Sequence, residues 1–224
     1  MADENLQEFF SISDETVVIL RGELEKLLGH YSGDKRKATE IADILLAKYS
    51  EKHRAYHNLW HIIMLLAGVD GWQSDFADQE SVRLAVWFHD VIYEPRNQTN
   101  ETESAALAVE SLAALNFSTV KIKRVEKMIL ATQKHRAKGL DEDGRLFLDF
   151  DLSILSAAPA VYKKYAQAIR HEYSFVPENL YREKRREILQ SFLQREKIFY
   201  TDKMKKLSES AARANIANEI KELS

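Results

Sequence analysis

Three short stretches carry the groups most capable of chemistry: His57 with His61, the adjacent pair His89-Asp90, and Asp149 with Asp151. In each, polar residues stand among apolar ones. Val86, Trp87 and Phe88 run straight into His89 and Asp90, His61 precedes Ile62, Ile63, Leu65 and Leu66, and Asp151 lies between Phe150 and Leu152. A carboxylate in such surroundings is costly unless it is paired or bound to a metal. His57 and His61 are four apart on a predicted helix, so both imidazoles can project from one face, one turn apart. Two imidazoles and two carboxylates converging from three helices make a nitrogen/oxygen site, suited to one divalent ion of Mn, Fe, Co, Ni, Zn or Mg. With about four protein ligands and octahedral preference, such an ion keeps positions open for a water and a phosphate oxygen, which suits phosphoester hydrolysis. The plainer alternative is a buried hydrogen-bonded network in which His89 and Asp90 form a capping pair.

The elements that must position these groups read as helices throughout. The 224 residues are 45% hydrophobic and 30% charged, enough to fill a core and still present a solvated surface. Only three prolines interrupt the chain, no glycine follows Gly144, and period-2 runs of β-branched residues are nearly missing. Apolar residues recur instead at three and four, so the chain is predicted to be all-α and a single domain. A first helix starts at Ser13 or Asp14 and ends near Gly29, and a second spans about Asp34 to Tyr49. A third reaches about Gly68, and Gln79 to Tyr93 forms the helix expected to carry His89 and Asp90. Helices follow at about 101–116 and 118–135, then a charged loop from Ala137 to Gly144, then Leu146 to Leu155 with both aspartates. Pro159 and Pro177 fit the first turns of helices reaching about Tyr173 and Arg195. The charged final helix, about 202–223, has a narrow apolar face that either folds back or pairs with another subunit.

Composition excludes several classes. The formal net charge of -3, with no basic stripe interleaved with aromatics, argues against a nucleic-acid partner. The absence of cysteine excludes disulfides, thiolate metal sites and cysteine nucleophiles, and fits a reducing compartment. The longest apolar run, Ile62 to Val69, is far too short to span a bilayer, and Met1–Asn5 lacks the basic start of a signal peptide. The expectation is a soluble cytoplasmic protein with no membrane partner.

The order His61, then His89-Asp90, then Asp151 resembles the HD phosphohydrolase superfamily. The likeness extends to a bacterial-type branch of uncharacterised predicted metal-dependent HD phosphohydrolases. It is carried by Arg54-Ala55-Tyr56-His57-Asn58 through His61-Ile62, Phe88-His89-Asp90-Val91-Ile92-Tyr93, and Asn100-Glu101 through Ser104-Ala105. Further strings are Ala131-Thr132 with His135, Leu148-Asp149-Phe150-Asp151-Leu152, and Ile169-Arg170 through Glu172-Tyr173 to Val176-Pro177. The resemblance covers roughly residues 15–200 and leaves the final charged segment, 201–224, unexplained. It implies a helical bundle with a metal at its centre, His61, His89, Asp90 and Asp151 as ligands, and Asp149 behind them. It also implies hydrolysis of a phosphoester or phosphoanhydride, typically of a nucleotide, by a metal-bound hydroxide. A non-catalytic domain that binds a nucleotide as a regulatory or scaffold module is the alternative.

Other residues have two readings each. His57 is either a structural histidine, a substrate contact or part of a second ion site. His135 is either a solvated helix end or a phosphate ligand. Glu94 and Glu101 follow the His-Asp pair closely and either can act as a general base, while a surface role is the plainer reading of each. Arg54, Arg170 and Arg185 have the guanidinium geometry to grip phosphate, although most arginines are simply solvated. Tyr56, Trp87, Tyr93, Tyr162, Tyr165 and Tyr173 can stack on a base but at helical spacing belong to a core. A homo-oligomer is left open.

Overall fold

A computed structural model describes residues 9–32 and 34–223 of the chain, so the acidic start at Met1–Asn5 lies outside the described residues. Among them are ten α-helices and no strand. They are α1 (Asp14–Leu28), α2 (Lys35–Tyr49), α3 (Leu59–Gly71), α4 (Gln79–Phe88), α5 (Asn100–Ala114), α6 (Thr119–Thr132), α7 (Glu142–Asp151), α8 (Pro159–Glu172), α9 (Glu178–Leu193) and α10 (Asp202–Glu222). Most begin where a short polar side chain can take an orphan amide. Ser13, Asp34, Asn58, Asp78, Ser118, Asp141 and Thr201 each accept a hydrogen bond from a backbone N–H two or three residues on.

The middle of the fold is α4. It packs against α3, α5, α6 and α7, and Val82, Leu84, Ala85, Val86, Trp87 and Phe88 are all buried. From Leu84 to Phe88 the helix is apolar on every side, so its last turn has to lie inside. Each large side chain buried there contributes roughly 1.5–3 kcal/mol, so α4 is held firmly and its C-terminal end is a fixed point.

That end comes earlier than the sequence predicts. The apolar pattern runs to Tyr93, but α4 stops at Phe88 with His89 as its C-terminal cap. His89 N still reaches Ala85 O, whereas Val91 N turns tightly back to Phe88 O. The carbonyls of Asp90 and Val91 are taken by the Arg54 guanidinium, and both backbone groups of Ile92 by Ser104 Oγ. His89 and Asp90 therefore sit on a turn rather than within a helix.

Two further boundaries differ. The charged loop expected to Gly144 ends sooner, because Asp141 caps α7 at Glu142. After Asp151 the chain tightens into a 3-10 turn, Leu152–Ser156. Finally, α10 folds back onto its own chain. Met204, Ala212 and Ile216 join the core, Asn215 Nδ2 donates to the carbonyls of Leu155 and Ala157, and Glu219 pairs with Arg185 of α9.

Candidate metal centre

The helices α3, α4 and α7 pack on one another, and each brings one end to the same place. His61 lies in the first turn of α3, His89 caps the end of α4, and Asp151 is the last residue of α7. His61 and His89 are buried, and Asp151 nearly so. His61 Nε2 lies 3.2 Å from His89 Nε2 and 3.4 Å from Asp151 Oδ1, and His89 Nε2 is 3.6 Å from the same oxygen. Ligand atoms about 2.0–2.2 Å from one ion lie roughly 3.0–3.5 Å apart at angles between octahedral and tetrahedral. This group of three could hold a metal ion.

The tautomer supports that fit. His89 Nδ1 lies 2.9 Å from Val86 O, a carbonyl that can only accept, so Nδ1 carries a proton. In the neutral ring Nε2 then presents a lone pair to His61 Nε2. Two such nitrogens 3.2 Å apart are stable only with a proton or a cation between them. Carboxylate charge makes the same demand. Against burial, which would lower it, Asp90 and Asp151 raise His89 to about 9. Burial dominates at His61 and pushes it down. Hydrogen bonds from His135 and His61 overcome burial and hold Asp151 well below the ordinary carboxylate range.

Asp90, the fourth ligand implied by the resemblance, stands beside the group, with Oδ2 3.1 Å from His89 Nε2. It falls outside the set of three whose donor atoms mutually converge. His135 joins from the other side, with Nε2 2.9 Å from Asp151 Oδ2. Its backbone is left-handed, φ 43°, closing the end of α6 with Arg136 N on Ala131 O. Its carbonyl is pinned by Tyr200 Oη and Arg195 Nη1.

His57 lies before α3, not on it as predicted, because Asn58 caps the helix. Its ring still meets His61, with centroids 5.8 Å apart. The amides of Tyr56 and His57 both donate to Glu172, whose other oxygen lies 2.7 Å from His57 Nδ1 and also accepts from Tyr93 Oη. Against burial, Glu172 raises His57 above the ordinary imidazole value, and His57 holds Glu172 below the ordinary carboxylate value. Sequence reasoning missed Glu172. Its signal was present, since it shares a helix face with the buried Ala168 and Ile169.

The remaining candidates lie elsewhere. Asp149 turns both oxygens to the start of α10, accepting from Tyr200 N, Thr201 N and Thr201 Oγ1 at 2.6–2.8 Å. Burial nonetheless pushes its carboxyl up. Glu94 is exposed and accepts from Arg96 N, and Glu101 sits half-buried in the first turn of α5. Neither is hydrogen-bonded to the cluster. The three arginines are engaged within the chain: Arg54 on the carbonyls of His57, Asp90 and Val91, Arg170 on those of Tyr173 and Val176, and Arg185 on the Glu219 carboxylate. Of the aromatic residues, Tyr56, Trp87 and Tyr162 are buried in the core, and Tyr93, Tyr165 and Tyr173 are half-buried. No described helix is long and apolar enough to cross a membrane. In comparisons with known proteins, no family model, no curated protein and no solved structure matches the chain.

Proposed function

We propose that this chain is a metal-dependent phosphohydrolase of the HD type, acting on a phosphoester or phosphoanhydride of a nucleotide. One observation carries the reading: His61, His89 and Asp151 meet at ligand spacing, in the chain order that the resemblance implies. Asp90, the fourth ligand that the resemblance implies, lies beside the set, 3.1 Å from His89 Nε2. A bound divalent ion would supply positive charge to polarise a phosphate and bring a water toward ionisation at neutral pH.

The chain's own groups supply the rest. Val86 O fixes the His89 ring so that Nε2 faces the site. Arg54 holds the turn at Asp90. Glu172 fixes His57 through Nδ1, leaving Nε2 as the nitrogen available to a substrate. His57, Asp90 and His135 are the groups of the site that remain partly open to solvent, which sets the side of approach. With its imidazole charged, His57 can hold a proton for a departing oxygen.

The test is elemental analysis of protein purified without chelator, followed by hydrolysis assays on nucleotides with the ion found. About one transition ion per chain, lost together with hydrolysis in Asp151→Asn, is expected. Metal-free protein, stable and indifferent to added Mn or Co, would sink the reading in favour of a buried polar network. Metal and nucleotide binding without turnover would favour a regulatory binding module.

A further inference from the structure

A second charged feature lies beside the centre and is not used by it. The loop between α6 and α7 leaves a cleft of about 400 Å³ lined by Arg136, Ala137, Lys138, Arg145, Lys197 and Tyr200. That volume lies within the roughly 300–1,000 Å³ of small-molecule sites. Four of the six lining residues are cations and none is an acid, in a chain whose net charge is negative.

The loop is built to keep this shape. Arg195 donates to the carbonyls of Lys134 and His135, Tyr200 Oη donates to His135 O, and Lys127 donates to Gly139 O. Gly139 adopts φ 75°, which a residue with a side chain rarely does. The loop's backbone is thus tied down from three directions while Arg136 and Lys138 stand exposed without an acidic partner. Lys197 donates to the Tyr200 carbonyl, lies over the Tyr200 ring and reaches the Asp149 carboxylate by charge alone, and Arg145 pairs with Glu142 at 3.4 Å on the exposed side. Burial holds the Arg195 guanidinium below its ordinary value, with Tyr200 opposing and the neighbouring Arg136 charge adding to the effect.

We infer that this cleft is an anion site, separate from the metal centre, that takes a chain of linked phosphates. Several cations gathered around one cleft favour a ligand with several linked charges over a single phosphate, because each phosphate can meet its own donor. The shared chemistry is the phosphate chain, whether of inorganic polyphosphate or of a nucleoside polyphosphate. Arg136 follows His135 directly, and Tyr200 holds the His135 carbonyl, so an occupant would sit one residue from a group that touches Asp151.

Calorimetric titration of metal-free full-length protein with inorganic triphosphate, diphosphate and orthophosphate tests this. Affinity should fall in that order. It should weaken about tenfold in Arg136→Gln/Lys138→Gln, whose exposed side chains contribute nothing to the core, and fall steeply with added salt. Asp151→Asn should bind triphosphate as the parent does. A nucleoside triphosphate run beside inorganic triphosphate separates the two sources: equal affinity assigns the cleft to the phosphate chain alone, and tighter binding adds the nucleoside. No binding, binding indifferent to Arg136→Gln/Lys138→Gln, or binding abolished by Asp151→Asn would overturn the inference. These outcomes are independent of whether the metal centre hydrolyses anything.

Discussion

Replacing Arg54 with methionine separates two roles that the sequence leaves open for this residue. Its side chain is fully buried, and it donates to Asp90 O at 2.7 Å, Val91 O at 2.9 Å, His57 O at 3.0 Å and Glu51 Oε2 at 3.2 Å. Methionine keeps much of the volume but strands three backbone carbonyls. Each buried acceptor left without a partner costs about 1–3 kcal/mol; the contact to Val91 O is buried and those to His57 O and Asp90 O are part-buried, so Arg54→Met should lose about 3–5 kcal/mol of stability, the lower half of the range for three such groups. For a chain of this length that corresponds to a fall in Tm of roughly 6–20 °C. Arg54→Lys should recover little, because a single ammonium cannot span carbonyls set on either side of a planar fork. The carbonyls concerned belong to the turn that carries His89 and Asp90 and to the residue before α3, so metal affinity should fall with stability. Equilibrium urea unfolding gives the first quantity and metal titration the second. If Arg54→Met unfolded within about 1 kcal/mol of the parent, bound metal equally well and only raised KM for a phosphoester, the guanidinium would belong to the substrate and the argument would fail.

Three other perturbations bear on the same chemistry. Because Asp90 and Asp151 raise His89 to about 9, its ring carries a proton at pH 7 that a divalent ion must displace. Calorimetry in buffers of different ionisation enthalpy should show about one proton released per ion, with affinity rising with pH up to that value; no proton release would contradict it. Glu172→Gln removes the negative charge and one of the two oxygens that accept four hydrogen bonds, so the raised titration of His57 should return toward ordinary values, read from its imidazole resonances in metal-free protein. An unchanged titration would show that Asp90 and Asp151 alone raise it. Against burial, hydrogen bonds from Ser81 and Lys121 depress Asp78, and those from Lys121 and His30 depress Glu80. Their stabilisation is present above the unfolded carboxylate values of about 3.9–4.3 and is lost as pH falls through the lower folded values. Lys121→Met should flatten that acid limb in urea unfolding at pH 3 to 6, and identical slopes would discount the ion pairs.

The helices were legible because their caps and apolar periods are local. Ser13, Asp34, Ser118 and Thr201 announce helix starts without any knowledge of the fold, whereas Asn58 does not stand out from the pattern, and His57 is predicted on the helix that Asn58 caps. The end of α4 was not legible, since the pattern from Gln79 continues smoothly to Tyr93. What ends the helix is Arg54, thirty-six residues before Asp90, taking carbonyls that the next turn would otherwise use. The cluster itself followed from carboxylates and imidazoles set in apolar strings, which is a local anomaly. Asp149 shows the limit of that logic. It is as buried as any ligand, but its anomaly is resolved by the amides at the start of α10, and no pattern around residue 149 distinguishes the two resolutions. Glu172 failed the opposite way: its neighbours in sequence, Arg170 and His171, are polar, and only the helical spacing to Ala168 and Ile169 marks it as buried.

The placement of the cluster at helix ends bears on whether it needs a metal at all. Both α4 and α7 direct their C-termini at it, and each such end carries roughly half a negative charge. Asp90 and Asp151 add two carboxylates held ionised. The N-terminus of α3 at His61 offsets only part of this. A proton on His89 offsets part of this charge, and one on His61 is opposed by burial. A divalent ion held by His61, His89 and Asp151 would add positive charge where their donor atoms converge. The polar-network reading balances the two carboxylates with protonated imidazoles alone. Because hydrogen bonds hold Asp151 below the ordinary carboxylate range, its charge stabilises the metal-free fold, and Asp151→Asn should lower metal-free stability under both readings. Under the polar-network reading Mn or Co should leave parent and variant unchanged, whereas under the metal reading the ion should raise the melting temperature of the parent and not that of the variant. The contrast between those two thermal shifts, measured on the one variant and its parent, decides between them.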